Sequence, residues 1–174
     1  YHIDQFESLR PVFMKVIEYA NAMGLDMIQG DHEDAPGQLE LNWTFDNVLR
    51  NADRLSTYRQ ICAQVAREFN LIACFMTKPF MGVSASGCHT NMSLWTGGKV
   101  NVNELGHDSI PGSEDVFSYV EGGENLFMPD TDDQQMPGKV GLQAIGGVMK
   151  HLGALTAIGS STVNSYRRLW DQGF

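Results

Sequence analysis

A chain of 174 residues with 43% hydrophobic and 19% charged side chains has the composition of a soluble globular protein and enough length for one substantial core, so a single domain is the default. Twelve basic against twenty-one acidic residues leave a net charge of -9, which argues against nucleic acid or an anionic membrane as partner and favours a bound cation. No leader-like segment and no run of about eighteen apolar residues is present, so a cytoplasmic protein without membrane insertion is expected.

Val12, Phe13, Val16, Ile17 and Ala20 recur at helical spacing and predict a first helix from Ser8 to Gly24. Ser8 would cap it, Pro11 would fall in its tolerant first turn, and Gly24 would supply a left-handed stop. "LDMIQGDHE" and "GQLELNW" are of strand length, and Pro36-Gly37 between them suits the centre of a type II turn, which predicts a hairpin. A long amphipathic pattern from Thr44 to Phe69, through Val48, Leu49, Ala52, Leu55, Tyr58, Cys62 and Val65, predicts a second helix ending at Asn70. "LIACFM" and "GCHTNMSLW" read as further strands. Residues 96 to 138, rich in Gly, Pro, Asp and Glu, read as an insertion-like loop with a short element around Val116 to Val120. "GLQAIGGVMKHLGALTAI" returns to helical spacing, its glycines suited to close packing. Cys62, Cys74 and Cys88 are odd in number and form no CxxC pair, so reduced, structural thiols are expected.

Three clusters carry possible chemistry. With Pro36 and Gly37 as a two-residue turn, Ala35 would pair with Gln38 and Glu33 would face Glu40, two like charges that repel unless a cation lies between them. Hard divalent ions such as magnesium or manganese take oxygen ligands, so Glu33 and Glu40 are candidate metal ligands; an acidic hairpin that simply faces water fits the same residues. In "SASGCHTNMSLW", strand alternation would put His89, Asn91 and Ser93 on one face, a row suited to a metal and a nucleotide or to plain structural bonding. In "SSTVNSYRRLW", Arg167 and Arg168 offer planar forks for a carboxylate or phosphate, or for a surface ion pair.

Taken in order, "HEDAPGQLE", "FMTKPFMGVSASGCHTNMSLW" and "IGGVMKHLGALTAIGSSTVNSYRRL" resemble the catalytic domain of the glutamine synthetase superfamily over most of the chain. "MTKPFMGVSASGCH" and "TVNSYRRLWDQGF" are similar to its glutamate-methylamine ligase, or gamma-glutamylmethylamide synthetase, branch. The resemblance implies an α+β fold, a curved antiparallel sheet with flanking helices. It also implies that residues 1–174 are the central part of a catalytic domain belonging to a longer chain, in keeping with the abrupt ends "YHIDQF" and "RRLWDQGF".

The activity implied is activation of the glutamate side-chain carboxylate by ATP to a gamma-glutamyl phosphate, which ammonia or a small alkylamine such as methylamine displaces, with two Mg2+ or Mn2+ ions clamping the phosphates. By motif position Glu33 and Glu40 correspond to ligands of one metal, Glu33 also standing near the amine, and His89 to a ligand of the other. Phe45, Asn91 and Ser93 correspond to contacts with ATP, the family often having histidine at the Asn91 position. Arg168 corresponds to the arginine that holds glutamate, with Ser84, Ala85 and Gly87 in the substrate loop. The chain departs from the family's common Asn-Gly by having Ser84-Ala85, and it reaches Phe174 without the family's flap glutamate. The first bears on glutamate binding or on the size of the amine pocket, and the second suits an alkylamine acceptor, whose methyl group the region of Trp170 and Phe174 could wall. Both departures also suit a non-catalytic member. The partners implied are glutamate, the amine and further copies of the chain in stacked rings with active sites between subunits. A metal-dependent phosphohydrolase outside the family would use Glu33, Glu40 and His89 but would not need Arg168.

Overall fold

The computed structural model describes residues 2–96, 100–101, 118–119, 123–130 and 136–170. The chain divides into two units, one formed by Tyr1–Gly87 together with the segment from Asn164 onward, the other by Cys88–Val163.

In the first unit, α1 (Ile3–Ala22) leads into the antiparallel pair β1 (Met27–His32) and β2 (Leu39–Trp43), then α2 (Val48–Glu68). Helix α1 starts five residues before the expected Ser8, so Pro11 lies inside it rather than in its first turn. Proline at that position removes the N–H that would bond the Glu7 carbonyl. Glu7 and Pro11 both lie on the exposed side of the helix, where water can take that carbonyl, and the apolar stripe of Phe13, Val16 and Ala20 continues undisturbed. The Ser8 hydroxyl bonds back to the Gln5 carbonyl and caps nothing.

The C-terminal stop follows the expected chemistry. Gly24 has φ 76°, and the Leu25 N–H reaches back to the Ala20 carbonyl at 2.9 Å while Gly24 N–H reaches Asn21. This is the Schellman arrangement, with Leu25 and Ala20 both buried beside it. Helix α2 ends the same way with asparagine in the special position: Asn70 has φ 56°, and Leu71 N–H donates to the Ala66 carbonyl at 2.8 Å. Its start lies four residues after the expected Thr44. Asn47 is the cap, accepting from Arg50 N–H at 2.9 Å, whereas the Thr44 N–H is engaged by the Asp26 carbonyl at 3.1 Å. Arg54, buried, pairs with Asp46 at 3.0 Å and Asp26 at 3.5 Å, which fixes the entry to α2 against the start of the hairpin.

The core is formed by Val16, Ala20, Leu25, Ile61 and Val65, flanked by Val12, Tyr19, Met27, Leu41, Tyr58 and Cys62. Each large aliphatic side chain buried there contributes about 1.5–3 kcal/mol. The hairpin lies on this core through its Gly30 and Leu41 side, where Gly30 leaves room for the Phe13 ring.

The segment Leu71–Met76 is not a strand. A strand exists only where a neighbouring strand takes its backbone groups; no described strand pairs with this segment, and its Leu71 N–H turns back to Ala66 of α2. Side chains hold the segment instead, with the Phe75 ring 6.4 Å from that of Tyr58 and the Arg59 guanidinium 4.8 Å from the Phe75 ring.

In the second unit, β3 (Val100–Asn101) pairs antiparallel with β4 (Ser118–Tyr119). β4 falls where a short element around Val116 to Val120 is expected, although Val116, Phe117 and Val120 lie outside the described residues. Helices α3 (Lys139–Lys150) and α4 (Leu152–Gly159) divide the expected long helix at His151. The Asp130 carboxylate caps α3 by accepting from Lys139 N–H at 2.5 Å. Of the glycines expected to permit close packing, Gly141 does so against Pro137 and Phe127, whereas Gly146, Gly147 and Gly153 have no described atom within 4 Å of where a Cβ would stand. Helix α5 (Val163–Trp170) returns the chain to the first unit.

Helices and antiparallel pairs together make the protein α+β, and both sheets are two-stranded among the described residues. No described helix is long and apolar enough to cross a membrane.

Candidate active site

The hairpin turn has the expected type: Gln38 N–H donates to the Ala35 carbonyl at 3.0 Å, and Gly37, at φ 73°, takes the left-handed position after Pro36. The register differs from the expected one. Asp31, not Glu33, lies opposite Glu40, and Glu33 N–H donates to the Gln38 carbonyl at 2.9 Å. A type II turn twists against the natural twist of two strands, and Asp34 and Ala35 absorb the mismatch as extra residues in the loop. Because the shift is by two residues it preserves the face. Asp31 and Glu40 therefore project together, with Glu33 next along the same side. Two amides temper their repulsion: Gln29 Nε2 donates to Asp31 at 3.0 Å and Asn42 Nδ2 to Glu40 at 3.2 Å. Beneath Glu40, burial raises the Tyr58 hydroxyl far above its usual pKa, helped by Cys62 and by the Glu40 charge.

The segment from Thr77 to Gly87 runs beside this hairpin. Its Ser84 hydroxyl bonds to the Asp34 carboxylate. Gln38 Nε2 donates to the Ala85 carbonyl at 3.0 Å and to the Ser86 hydroxyl at 3.4 Å. On the other side, Arg168 Nε of α5 donates to the Ser86 carbonyl at 3.2 Å. The acidic hairpin, Ser84, Ala85 and Arg168 thus belong to one bonded constellation. Gly87, exposed, follows at its end, and Arg167 is exposed on α5. Phe45, 75% exposed, stands between β2 and α2 with its ring presented to the surface.

His89, Asn91 and Ser93 belong to the second unit and are exposed. The strand expected for "GCHTNMSLW" is absent from Gly87 to Leu94. Pairing starts only at its end, where Trp95 forms a bridge with Asn125 and Leu126 N–H donates to the Leu94 carbonyl at 2.7 Å. The alternating face proposed for the three residues therefore has no ladder to define it; Ser93 accepts from Trp95 Nε1 at 2.9 Å. Among the described residues no three His, Cys, Asp or Glu side chains gather as a complete metal site. The oxygen donors on the hairpin are of the chemical type that suits a hard divalent ion.

The family profile described as glutamine synthetase, catalytic domain, matches residues 1–122 and 116–174. The chain belongs to the glutamine synthetase family. It is 35% identical over 159 residues to a glutamine synthetase of Rhizobium leguminosarum bv. phaseoli, covering 91% of this chain and 31% of the relative. It is 32% identical over 156 residues to a glutamate–methylamine ligase of Methyloversatilis universalis, covering 89% of this chain and 30% of that protein. It is also similar to a solved GmaS/ADP complex, with TM-score 0.76 and 30% identity over 99% of this chain and 34% of that one. The chain thus spans about a third of the length of the relatives it matches. In this glutamine synthetase-family chain, sequence reasoning overlooked Asp31 as the partner of Glu40, and Gln38 and Asn164 as the side chains that tie the 77–86 segment down. Helical spacing carried a signal for the last, since Asn164 precedes Arg168 by four positions.

Proposed function

We propose that residues 1–174 form the central part of the catalytic domain of an ATP-dependent glutamate-amine ligase whose acceptor is a small alkylamine such as methylamine. The observation that carries this reading is the bonded constellation of acidic hairpin, Ser84–Gly87 loop and Arg168. With Nε engaged by the Ser86 carbonyl, the two Nη groups of Arg168 form the fork that would take a substrate carboxylate. Ser84, Ala85 and Gly87 would border the glutamate, and holding its carboxylate in line for attack is the main service such a loop can give. A carboxylate oxygen attacks the terminal phosphorus of ATP and ADP leaves. The amine nitrogen then attacks the carbonyl carbon of the gamma-glutamyl phosphate, phosphate leaves, and the amine gives up a proton. Glu33 would attract the incoming ammonium and take that proton.

Glu33 and Glu40 would hold one divalent cation and His89 the second. Bound Mg2+ or Mn2+ would supply neutralisation of phosphate charge. Phe45 would pack near the adenine, and Asn91 and Ser93 would contact ATP. The protein would work as a homo-oligomer of stacked rings with active sites between subunits. The 32% identity to a glutamate–methylamine ligase supports an alkylamine, whereas the 35% identity to a glutamine synthetase supports ammonia. One methyl group is worth only about 1 kcal/mol of discrimination, so ammonia and methylamine would compete for the same seat. Of the wall expected for that methyl, Phe174 lies outside the described residues, and Trp170 ends α5.

The test is phosphate release by the complete protein with ATP, magnesium or manganese and glutamate, comparing no amine, ammonia, methylamine and ethylamine. Release that is glutamate-dependent, fastest with methylamine and lost in Glu33→Ala is the expected result. Preference for ammonia would return the protein to ordinary glutamine synthesis. Absence of amine-stimulated release would refute the enzyme reading in favour of a non-catalytic member.

A further inference from the structure

Helix α5 grips the 77–86 segment at two points one helical turn apart. At the first, the Asn164 Oδ1 accepts from the Lys78 backbone N–H at 2.6 Å and from the Thr77 hydroxyl at 3.0 Å, while its Nδ2 donates to the Lys78 carbonyl at 2.6 Å. The carboxamide thereby satisfies both backbone groups of Lys78, as a neighbouring strand would. At the second point, four positions along the same helix face, Arg168 Nε donates to the Ser86 carbonyl at 3.2 Å. The segment between is closed on itself. Ser86 N–H donates to the Thr77 carbonyl at 2.8 Å, and the amino group of Lys78, only 1% exposed, donates to the Val83 carbonyl at 2.6 Å.

These bonds make a closed circuit: Asn164 to Lys78, Lys78 to Val83, along the chain to Ser86, and from Ser86 back to Arg168 on the helix. The length of that circuit sets how far the Arg168 guanidinium stands from Ser84 and Ala85. We propose that Asn164 is a positioning residue that fixes the seat between Arg168 and the Ser84–Gly87 loop, and so determines how tightly a carboxylate substrate is held there. The assignment rests on the ligase reading for the identity of that substrate as glutamate. The described hydrogen bonds of Asn164 go to Thr77 and Lys78 and to none of the residues assigned to ATP or metal, so its loss should fall on glutamate alone. A misplaced loop can cost as much as about a hundredfold in rate, and a looser seat costs affinity in proportion.

The experiment uses the complete protein with Asn164→Ala and, as a milder change that removes only the Thr77 hydroxyl's bond to Asn164 beside the circuit, Thr77→Val. Steady-state KM is measured for glutamate and for ATP, and amide hydrogen exchange is followed over residues 77–86 and over the core helices α1 and α2. The expected result is a glutamate KM about tenfold to a hundredfold higher in Asn164→Ala, on the scale that loose positioning produces, with the ATP KM unchanged. Exchange should quicken at 77–86 and stay as in wild type in α1 and α2, and Thr77→Val should show the same pattern more weakly. An unchanged glutamate KM, equal rises in both KM values, or faster exchange throughout the core would each overturn the positioning role. Should Asn164→Ala fail to fold, an unchanged glutamate KM in Thr77→Val overturns it as well. Wild-type protein without glutamate-dependent turnover would instead sink the ligase reading itself, and with it the substrate assigned to this seat.

Discussion

Burial raises the pKa of the Cys62 thiol, outweighing the Tyr58 hydroxyl that bonds to it, and the same burial raises Tyr58, with Cys62 and Glu40 adding to the effect. Both groups are favoured in their neutral, protonated forms in the folded state. Their contribution to stability is therefore fully present below the ordinary thiol pKa of about 8.5 and is lost as pH rises past it. The expected outcome is a urea midpoint that falls as pH rises past about 8.5 in the wild type and falls less in Cys62→Ala, the thiol's share being absent. Equal slopes in the two proteins would show that the Cys62 environment is not a dry one. The exposed Cys74 and Cys88 should react with a thiol reagent before Cys62, whose burial both shields its sulfur and disfavours the nucleophilic thiolate. Reduced thiols were legible from an odd count with no paired motif; which one is shielded depends on a ring from the previous helical turn, which composition does not reveal.

Two glycines in the hairpin illustrate why elements obey different rules. Gly30 has ordinary backbone angles, but a Cβ there would stand 2.0 Å from Phe13 Cζ and 2.8 Å from Leu41 Cδ2. Phe13 is itself fixed by an edge-on contact with Phe6 at 5.0 Å. Gly30→Ala should cost about 1–3 kcal/mol by overpacking. Gly37, at φ +73°, has open space around it, and Gly37→Ala should cost about 1 kcal/mol through the backbone alone. Chemical denaturation of the two variants separates these causes: adding Phe13→Leu should recover part of the loss in Gly30→Ala and none in Gly37→Ala. No recovery in the first would mean the helix–hairpin contact is looser than its geometry implies. The turn type and the helix stops at Gly24 and Asn70 were readable because they are local backbone chemistry. The hairpin register was not, since Asp34 and Ala35 could be counted as strand or as loop, and only the conflict of twist decides it. The strands expected at Leu71–Met76 and over most of Gly87–Trp95 failed for a related reason, because alternation describes a candidate strand while a partner makes one.

At the scale of the whole molecule, a net charge of -9 adds to the repulsion within the Asp31–Glu40 pair, which the cation proposed for this hairpin would relieve, and this gives a test in which fold and site respond with opposite signs. Glu40→Gln keeps an oxygen that can accept the bond from Asn42 and removes one of two facing negative charges. In a chelator the variant should be more stable than wild type by about 0.2–1 kcal/mol, the range for relief of a like-charge pair across strands. With magnesium or manganese present the order should reverse, because a ligand that binds only the folded state stabilises it in proportion to its affinity, and the variant has lost an oxygen donor. Urea unfolding of the complete protein in chelator and across a metal titration reads both signs. On the ligase proposal, the magnesium concentration giving half-maximal glutamate-dependent phosphate release should rise about tenfold, which corresponds to 1.4 kcal/mol of lost binding. A variant less stable than wild type by the same amount in chelator and in metal would mean that Glu40 serves the hairpin and not a cation. The sequence alone suggested this conflict through four acidic residues between Asp31 and Glu40. The structure identifies Asp31 as the charge that Glu40 faces, and two amides, Gln29 and Asn42, let the hairpin tolerate that repulsion without dispersing the charges.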